Sequence, residues 1–190
     1  MKIFIKFNIL TFMLLIFFCC GDSKHIQSYR MPKKDFGVFS KKEELITQKK
    51  TISGLSWSLP ETWVPSEGHS MRLASFNTPY SNGVGDLSIV SLSGESGGLK
   101  ANVNRWRRQI DLKPISEEEI LISAVNGNSQ IGQFLLFRLV NESNKDKAIL
   151  AVVMPSGSKT FFIKLTASQK GIDELRFSFM EFCSSIGEAK

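Results

Sequence analysis

Two apolar runs that do not alternate constrain the fold of this chain more than any other feature. Phe134-Leu135-Leu136-Phe137 and Ile149-Leu150-Ala151-Val152-Val153 are continuous. A strand turns successive side chains to opposite faces, so a sheet with one wet face would carry a polar residue at every second position. Continuous runs therefore predict a sheet covered on both sides. The covers are legible too. From Gly98 to Ile110 the period becomes helical, with Leu99, Val103, Trp106 and Ile110 at i, i+4, i+7 and i+11 forming one apolar stripe. Ala101 and Arg108 fall opposite that stripe, with Asn104 and Arg105 on the same outer half. A second helix is predicted over 168–186, with Ile172, Leu175, Phe179, Phe182 and Ile186 as its stripe. Phe177 and Met180 lie off that stripe.

The remaining segments supply strands and turns. Strands are predicted over 52–59, 70–77 (Met71, Leu73 and Phe76 alternating) and 87–92, with Trp63-Val64-Pro65 as a turn-like segment between the first two. Pro114 closes the first helix, and Ser116 can cap a short acidic turn, Glu117-Glu118-Glu119. Asn126-Gly127-Asn128 between strands predicted over 120–125 and 129–140 predicts a hairpin turn. The strand over 159–165 pairs back to 149–154 through Pro155-Ser156-Gly157-Ser158. The order β-β-β-α-β-β-β-β-α implies an α+β fold: a central, mainly antiparallel sheet of about six to seven strands, with helices on both faces.

Ahead of this domain lies an export signal. Lys2 and Lys6 precede an apolar run over 9–18 broken only by Thr11, and Cys19-Cys20-Gly21 follows at once. That is the pattern of a secretory signal, and the run is shorter than the roughly 20 apolar residues a spanning helix needs. The cysteine at the end of the run resembles the bacterial lipobox, although Phe17-Phe18 is bulkier than its usual residues. The resemblance implies lipidation at Cys20, since cleavage would then follow the small Cys19, with Cys19 itself as the alternative acceptor. Residues 1–19 are then a lipoprotein signal peptide, 20–50 a lipidated cysteine and basic tether, and 51–190 a single α/β domain. Such a chain is expected to be exported and held on a cell or outer membrane through its acyl anchor, lying on the surface rather than across it. Cys183 is the single cysteine after Cys20, so no disulfide can form within the domain.

The net charge of +6 misleads unless it is divided along the chain. The first twenty residues hold two lysines and no acid, and residues 21–50 hold eight Lys or Arg against four acids. Residues 51–190 hold fourteen of each. A nucleic-acid binder carries its excess on the domain that docks phosphates, so no nucleic-acid partner is expected. A basic tether next to a lipid anchor can add attraction to anionic headgroups.

The segments Trp57-Ser58-Leu59-Pro60-Glu61-Thr62-Trp63 and Met71-Arg72-Leu73-Ala74-Ser75-Phe76 resemble the start of a group of uncharacterised bacterial lipoproteins and secreted proteins. Gly97-Gly98-Leu99-Lys100-Ala101-Asn102-Val103-Asn104-Arg105-Trp106-Arg107 is the most specific match, and Phe161-Phe162-Ile163-Lys164-Leu165-Thr166 is similar to that group's last strand. Tyr29-Arg30-Met31-Pro32-Lys33 resembles a short motif found ahead of such domains. The likeness implies no particular activity. The element order is also similar to the PsbP/Mog1 type of α/β/α sandwich, which implies fold and not function.

Catalytic groups are sparse. The two histidines are His25 in the tether and His69 in a loop, and no Gly-x-Ser-x-Gly elbow presents a serine. No His/Cys spacing suits a metal, and no cofactor motif is present, so neither is expected. The Gly94-Glu95-Ser96-Gly97-Gly98 loop before a helix could hold an anion, but it lacks the P-loop lysine and carries Glu95. The expectation is a lipid-anchored, non-enzymatic binding or accessory domain of the cell envelope, with a protein or envelope component as partner. Candidate partner-binding residues are Phe177, Met180, Arg105 and Arg108. The alternatives are an envelope hydrolase of unrecognised type and a small-ligand carrier. His69 with a carboxylate in one cleft would favour the enzyme, an exposed apolar patch the binding module, and a deep apolar pocket the carrier.

Overall fold

In a computed structural model, residues 54–68, 71–94 and 97–189 are described, and all fall in one compact unit. The elements in chain order are β1 (Leu55–Ser56), β2 (Val64–Pro65), β3 (Ala74–Tyr80), β4 (Gly83–Ser93), α1 (Gly98–Gln109), α2 (Glu117–Ser123), β5 (Val125–Ser129), β6 (Gly132–Asn141), β7 (Asn144–Ser156), β8 (Lys159–Ala167), α3 (Gln169–Ser185) and β9 (Gly187–Glu188). Seven strands form one sheet in the order β2-β3-β4-β8-β7-β6-β5, antiparallel at every step. β1 pairs separately with β9, Leu55 opposite Glu188.

The non-alternating runs do what their composition requires. Leu136 and Phe137 are sequence neighbours that enter different cores, as do Ile149 and Leu150. On one face α3 lays Ile172, Leu175, Phe179 and Phe182 over Leu150, Val152, Ile163 and Leu165. Trp57, Trp63 and Phe76 surround Phe182 there, with ring centroids 5.4–6.2 Å from it. On the other face α1 and α2 lay Val103, Trp106, Ile110 and Ile120 over Phe137, Ile149, Ala151 and Phe162. Trp106 meets Phe162 edge to face at 6.1 Å. The α+β sandwich with helices on both faces is the architecture observed.

Local chemistry sets the helix ends. Ser116 Oγ accepts from the Glu119 N–H while Glu119 Oε2 accepts from the Ser116 N–H, a capping box that satisfies two otherwise orphaned donors at the start of α2. Ser168 caps α3 through the Gly171 N–H. Gly97 and Gly98 turn into α1 with φ of 87° and 75°, a left-handed backbone that residues with a Cβ rarely adopt.

Four details differ from the sequence reading, the first being that residues 120–123, expected to begin a strand over 120–125, instead complete helix α2 after its capping box. Asn126-Gly127-Asn128 is not a turn; it lies inside β5, and the hairpin turns at Gln130-Ile131 instead. Gly127 is there because a Cβ at that position would overlap the Phe134 ring. The turn is built by side chains: Ser129 Oγ donates to Gly132 O at 2.9 Å and accepts from the Ile131 N–H at 3.3 Å. Asn104 is buried rather than outward, its amide donating to Ile115 O and accepting from the Ile115 N–H, both at 2.9 Å. Finally, the segment expected to form one strand over 52–59 contributes only β1, which clasps β9, and the turn-like Val64-Pro65 joins the sheet edge as β2.

Candidate functional site

On the α1–α2 side lies a cleft of about 590 Å³, within the roughly 300–1,000 Å³ usual for ligand sites. Strand alternation builds its floor. Gln133 and Leu135 on β6, Val153 and Pro155 on β7, and Thr160 and Phe162 on β8 face the same way, since Leu135 pairs with Val153 and Val153 with Phe162. Gly98, Leu99 and Asn102 of α1 form one wall, Glu117 of α2 another, and Asn126 of β5 closes the outer side. The cleft lies at the start of α1, just after the two left-handed glycines, and beside the five-residue edge strand β5.

Chemically the cleft is an apolar floor with a neutral polar rim. Leu99, Leu135, Val153 and Phe162 supply apolar contact, whereas Asn102, Asn126 and Gln133 supply amide groups. Thr160 is already engaged, its hydroxyl donating to Gly94 O at 2.9 Å, and the Asn102 amide donates to Gly98 O at 2.8 Å. Among the described residues Glu117 is the single ionisable one in the lining. Such a surface suits a ligand with an apolar body and neutral hydrogen-bonding groups.

The predicted candidates are placed as follows. Phe177 and Met180 do not form one patch: Phe177 is 72% exposed, but Met180 is half-buried and packs on the α3-side core. Arg105 and Arg108 are exposed on α1, and Arg105 Nη2 donates to Asn102 Oδ1 at 2.7 Å. Arg105 therefore braces an asparagine of the cleft wall, which sequence spacing alone did not indicate. Further exposed apolar side chains occur on α2 and β5, where Ile122 is 78% exposed beside Leu121 and Val125. Cys19, Cys20, the tether, His25, His69 and Glu95 lie outside the described residues. Cys183 is buried in the α3-side core, and burial pushes its thiol far above the ordinary value. Among the described residues no three His, Cys, Asp or Glu side chains gather as a metal site, and no helix is long and apolar enough to cross a membrane. The cleft residues were missed because they meet through long-range pairing of four strands. The one available signal was the change from apolar to polar at the ends of β6–β8.

No family model and no curated protein matches the sequence, so the likeness to the lipoprotein group rests on the residues quoted for it. Among solved structures the chain is similar to a protein of Bacteroides thetaiotaomicron VPI-5482, with a TM-score of 0.46 and 16% identity over 76% of this chain and 50% of that one. It thus spans half the length of that protein. It is similar to the cyanobacterial PsbP protein CyanoP of Synechocystis sp. PCC 6803, with a TM-score of 0.47 and 15% identity over 72% of this chain and 87% of that one. LpqN of Mycobacterium tuberculosis, involved in cell envelope biogenesis, gives 0.38 and 12% over 72% and 83%. Likeness at this level assigns no ligand and no activity.

Proposed function

We propose that this chain is a lipid-anchored, non-enzymatic binding domain of the cell envelope, and that its ligand occupies the cleft between α1, α2 and the sheet. The observation that carries the reading is the cleft itself, an apolar floor of Leu135, Val153 and Phe162 under a rim of neutral amides. A small ligand fits this shape better than a protein partner docking on Phe177, because Phe177 stands without a neighbouring exposed aromatic or aliphatic side chain on α3. The lipobox-like cysteine would hold the domain at a membrane surface, with the tether as spacer.

The test is to purify the full chain from its own membranes and examine it by native mass spectrometry. The intact protein should carry a bound small molecule, and Leu135→Trp, which fills the floor without changing charge, should lose it while melting normally. A wild-type spectrum free of bound mass, together with equal binding of an apolar fluorescent dye by both proteins, would sink the cleft. The anchor is tested separately: Cys20→Ser should leave the precursor uncleaved and unlabelled by a fatty-acid probe, whereas labelling lost only in Cys19→Ser would reassign the acceptor.

A further inference from the structure

The seven-stranded sheet guards its two edges unequally. β2, at one side, is two residues long and ends in Pro65, which cannot donate to a further strand. β5, at the other, reads Val125-Asn126-Gly127-Asn128-Ser129, with no charge and no proline. Among the described residues no strand pairs with its outer side. An edge of this kind presents a row of unpaired backbone groups ready to take another strand.

Exposed apolar side chains flank this edge toward both faces of the sheet. Val125 is opposite Leu136 of the α3-side core, so it turns toward α3. Arg138 of β6 forks onto Asp173 of α3, with Nε–Oδ1 at 2.9 Å and Nη2–Oδ2 at 3.0 Å. That side of the helix therefore overhangs β6, and Phe177, one helical turn after Asp173, continues it toward the edge. On the opposite face Ile120 is buried in the α1-side core, while Leu121 and Ile122 beside it are exposed just ahead of β5.

The chain enters the domain next to this edge. The Gln130 N–H of the β5–β6 hairpin donates to Ile186 O at 3.1 Å, which sets β9 and its partner β1 at the hairpin end of β5. From there the chain runs inward to Trp57, 6.0 Å from Phe76 of β3, so the residues before Gly54 leave on the β5 side. The path from Gly54 past Gln130 and along β5 to Val125 is about 30 Å, which an extended chain covers in about nine residues. Nine residues before Gly54 stands Leu45, and Leu45-Ile46 is the one pair of adjacent large apolar residues in the stretch 44–53. Neighbours on a strand turn to opposite faces, so one of this pair meets Val125 and Phe177 and the other meets Leu121 and Ile122.

We propose that residues 45–52, which precede the described chain, add to the outer side of β5 as an eighth strand, running parallel to it because both approach the hairpin end. The backbone supplies the pairing and Leu45-Ile46 the register, as in recognition by strand addition to an exposed sheet edge. The inference goes beyond the function proposed for the cleft and does not depend on it.

The experiment measures hydrogen exchange of the solubilised full chain by peptide mass spectrometry. Peptides covering 125–129 should be protected in the wild type and exchange about tenfold faster in the double variant Leu45→Asp, Ile46→Asp, as expected when an edge strand loses its partner, while β7 peptides keep their rate and show that the fold is intact. In a second arm, Ile46→Cys should close a disulfide with Val125→Cys under mild oxidation and not with Val64→Cys on the opposite edge. Equal exchange of 125–129 in the wild type and the double variant overturns the proposal, as does equal cross-linking to both edges. Protection that survives in the double variant and rises with protein concentration overturns it too, and assigns the edge to a second copy of the chain.

Discussion

Trp106→Ala is the most direct test of how the α1 face is held. Trp106 is 3% exposed and is the largest side chain in a core that has few others of its size on that face. Replacing a buried aromatic by alanine costs about 3–5 kcal/mol through lost burial and the cavity left behind. Collapse cannot refill the space, because Phe162 is fixed in a central strand and Val103 and Ile110 are on the same rigid helix. With an unfolding entropy of about 2.1 cal/mol/K per residue, a domain of about 140 residues has near 0.3 kcal/mol/K, so about 4 kcal/mol lowers Tm by roughly 13 °C. Arg108→Ala, on the exposed side of the same helix, should move stability by less than about 0.5 kcal/mol. Near-ultraviolet circular dichroism on both variants of the solubilised protein measures the contrast. Equal melting points, or a fall in Trp106→Ala of only a degree or two, would refute the placement of α1 and the two-core account together.

Gly127→Val should destabilise by about 1–3 kcal/mol, as overpacking does, because its side chain must displace the Phe134 ring; chemical denaturation checks it, and a neutral result would mean the hairpin tolerates a different register. The Glu119 carboxylate is held below its ordinary range by the backbone N–H and then the hydroxyl of Ser116. A carboxyl lowered on folding contributes stability above its unfolded value and loses it as pH falls through the folded one. The melting gap between wild type and Glu119→Ala should therefore be widest near neutrality and narrow on acidification, so a gap constant with pH would count against the capping box. Phe177→Ser should leave Tm within the small range of surface changes, and a large fall would place Phe177 in the core instead.

The sequence showed its layers more clearly than its edges. A residue such as Trp106 or Phe179 is buried because of the helix it sits on, and helical spacing is a local property that survives without neighbours. The unbroken runs through Leu136 and Leu150 were equally legible, since a strand with no polar face has only one way to be satisfied. What failed were positions decided by a distant partner. Gly127 reads as a turn former until Phe134 is known to lie against it, and Asn104 reads as solvated until the Ile115 peptide is known to need both halves of its amide. The cleft belongs to the same class, because its floor is assembled from β6, β7 and β8, and its opening depends on where α1 starts rather than on any motif.

The small clasp of β1 on β9 has a mechanical consequence. The chain enters the domain at Gly54, whose carbonyl accepts from the Ala189 N–H at 2.9 Å, and Ser56 Oγ donates to Glu188 O at 3.1 Å. Any pull on the N-terminal side is therefore applied first to a two-residue antiparallel pair, loaded from its open end, so that its bonds give way in succession. The next groups inward are Trp57, packed on Phe182, and then the Ser58 N–H on Ser185 Oγ, with Trp63 of the same aromatic cluster reached last. Tugging the N-terminal segment would thus peel the clasp and spend its displacement there, while the seven-stranded sheet and the cleft it floors stay unloaded. The clasp acts as a fuse whose rupture costs its few bonds and the burial of Leu55 in the α3-side core.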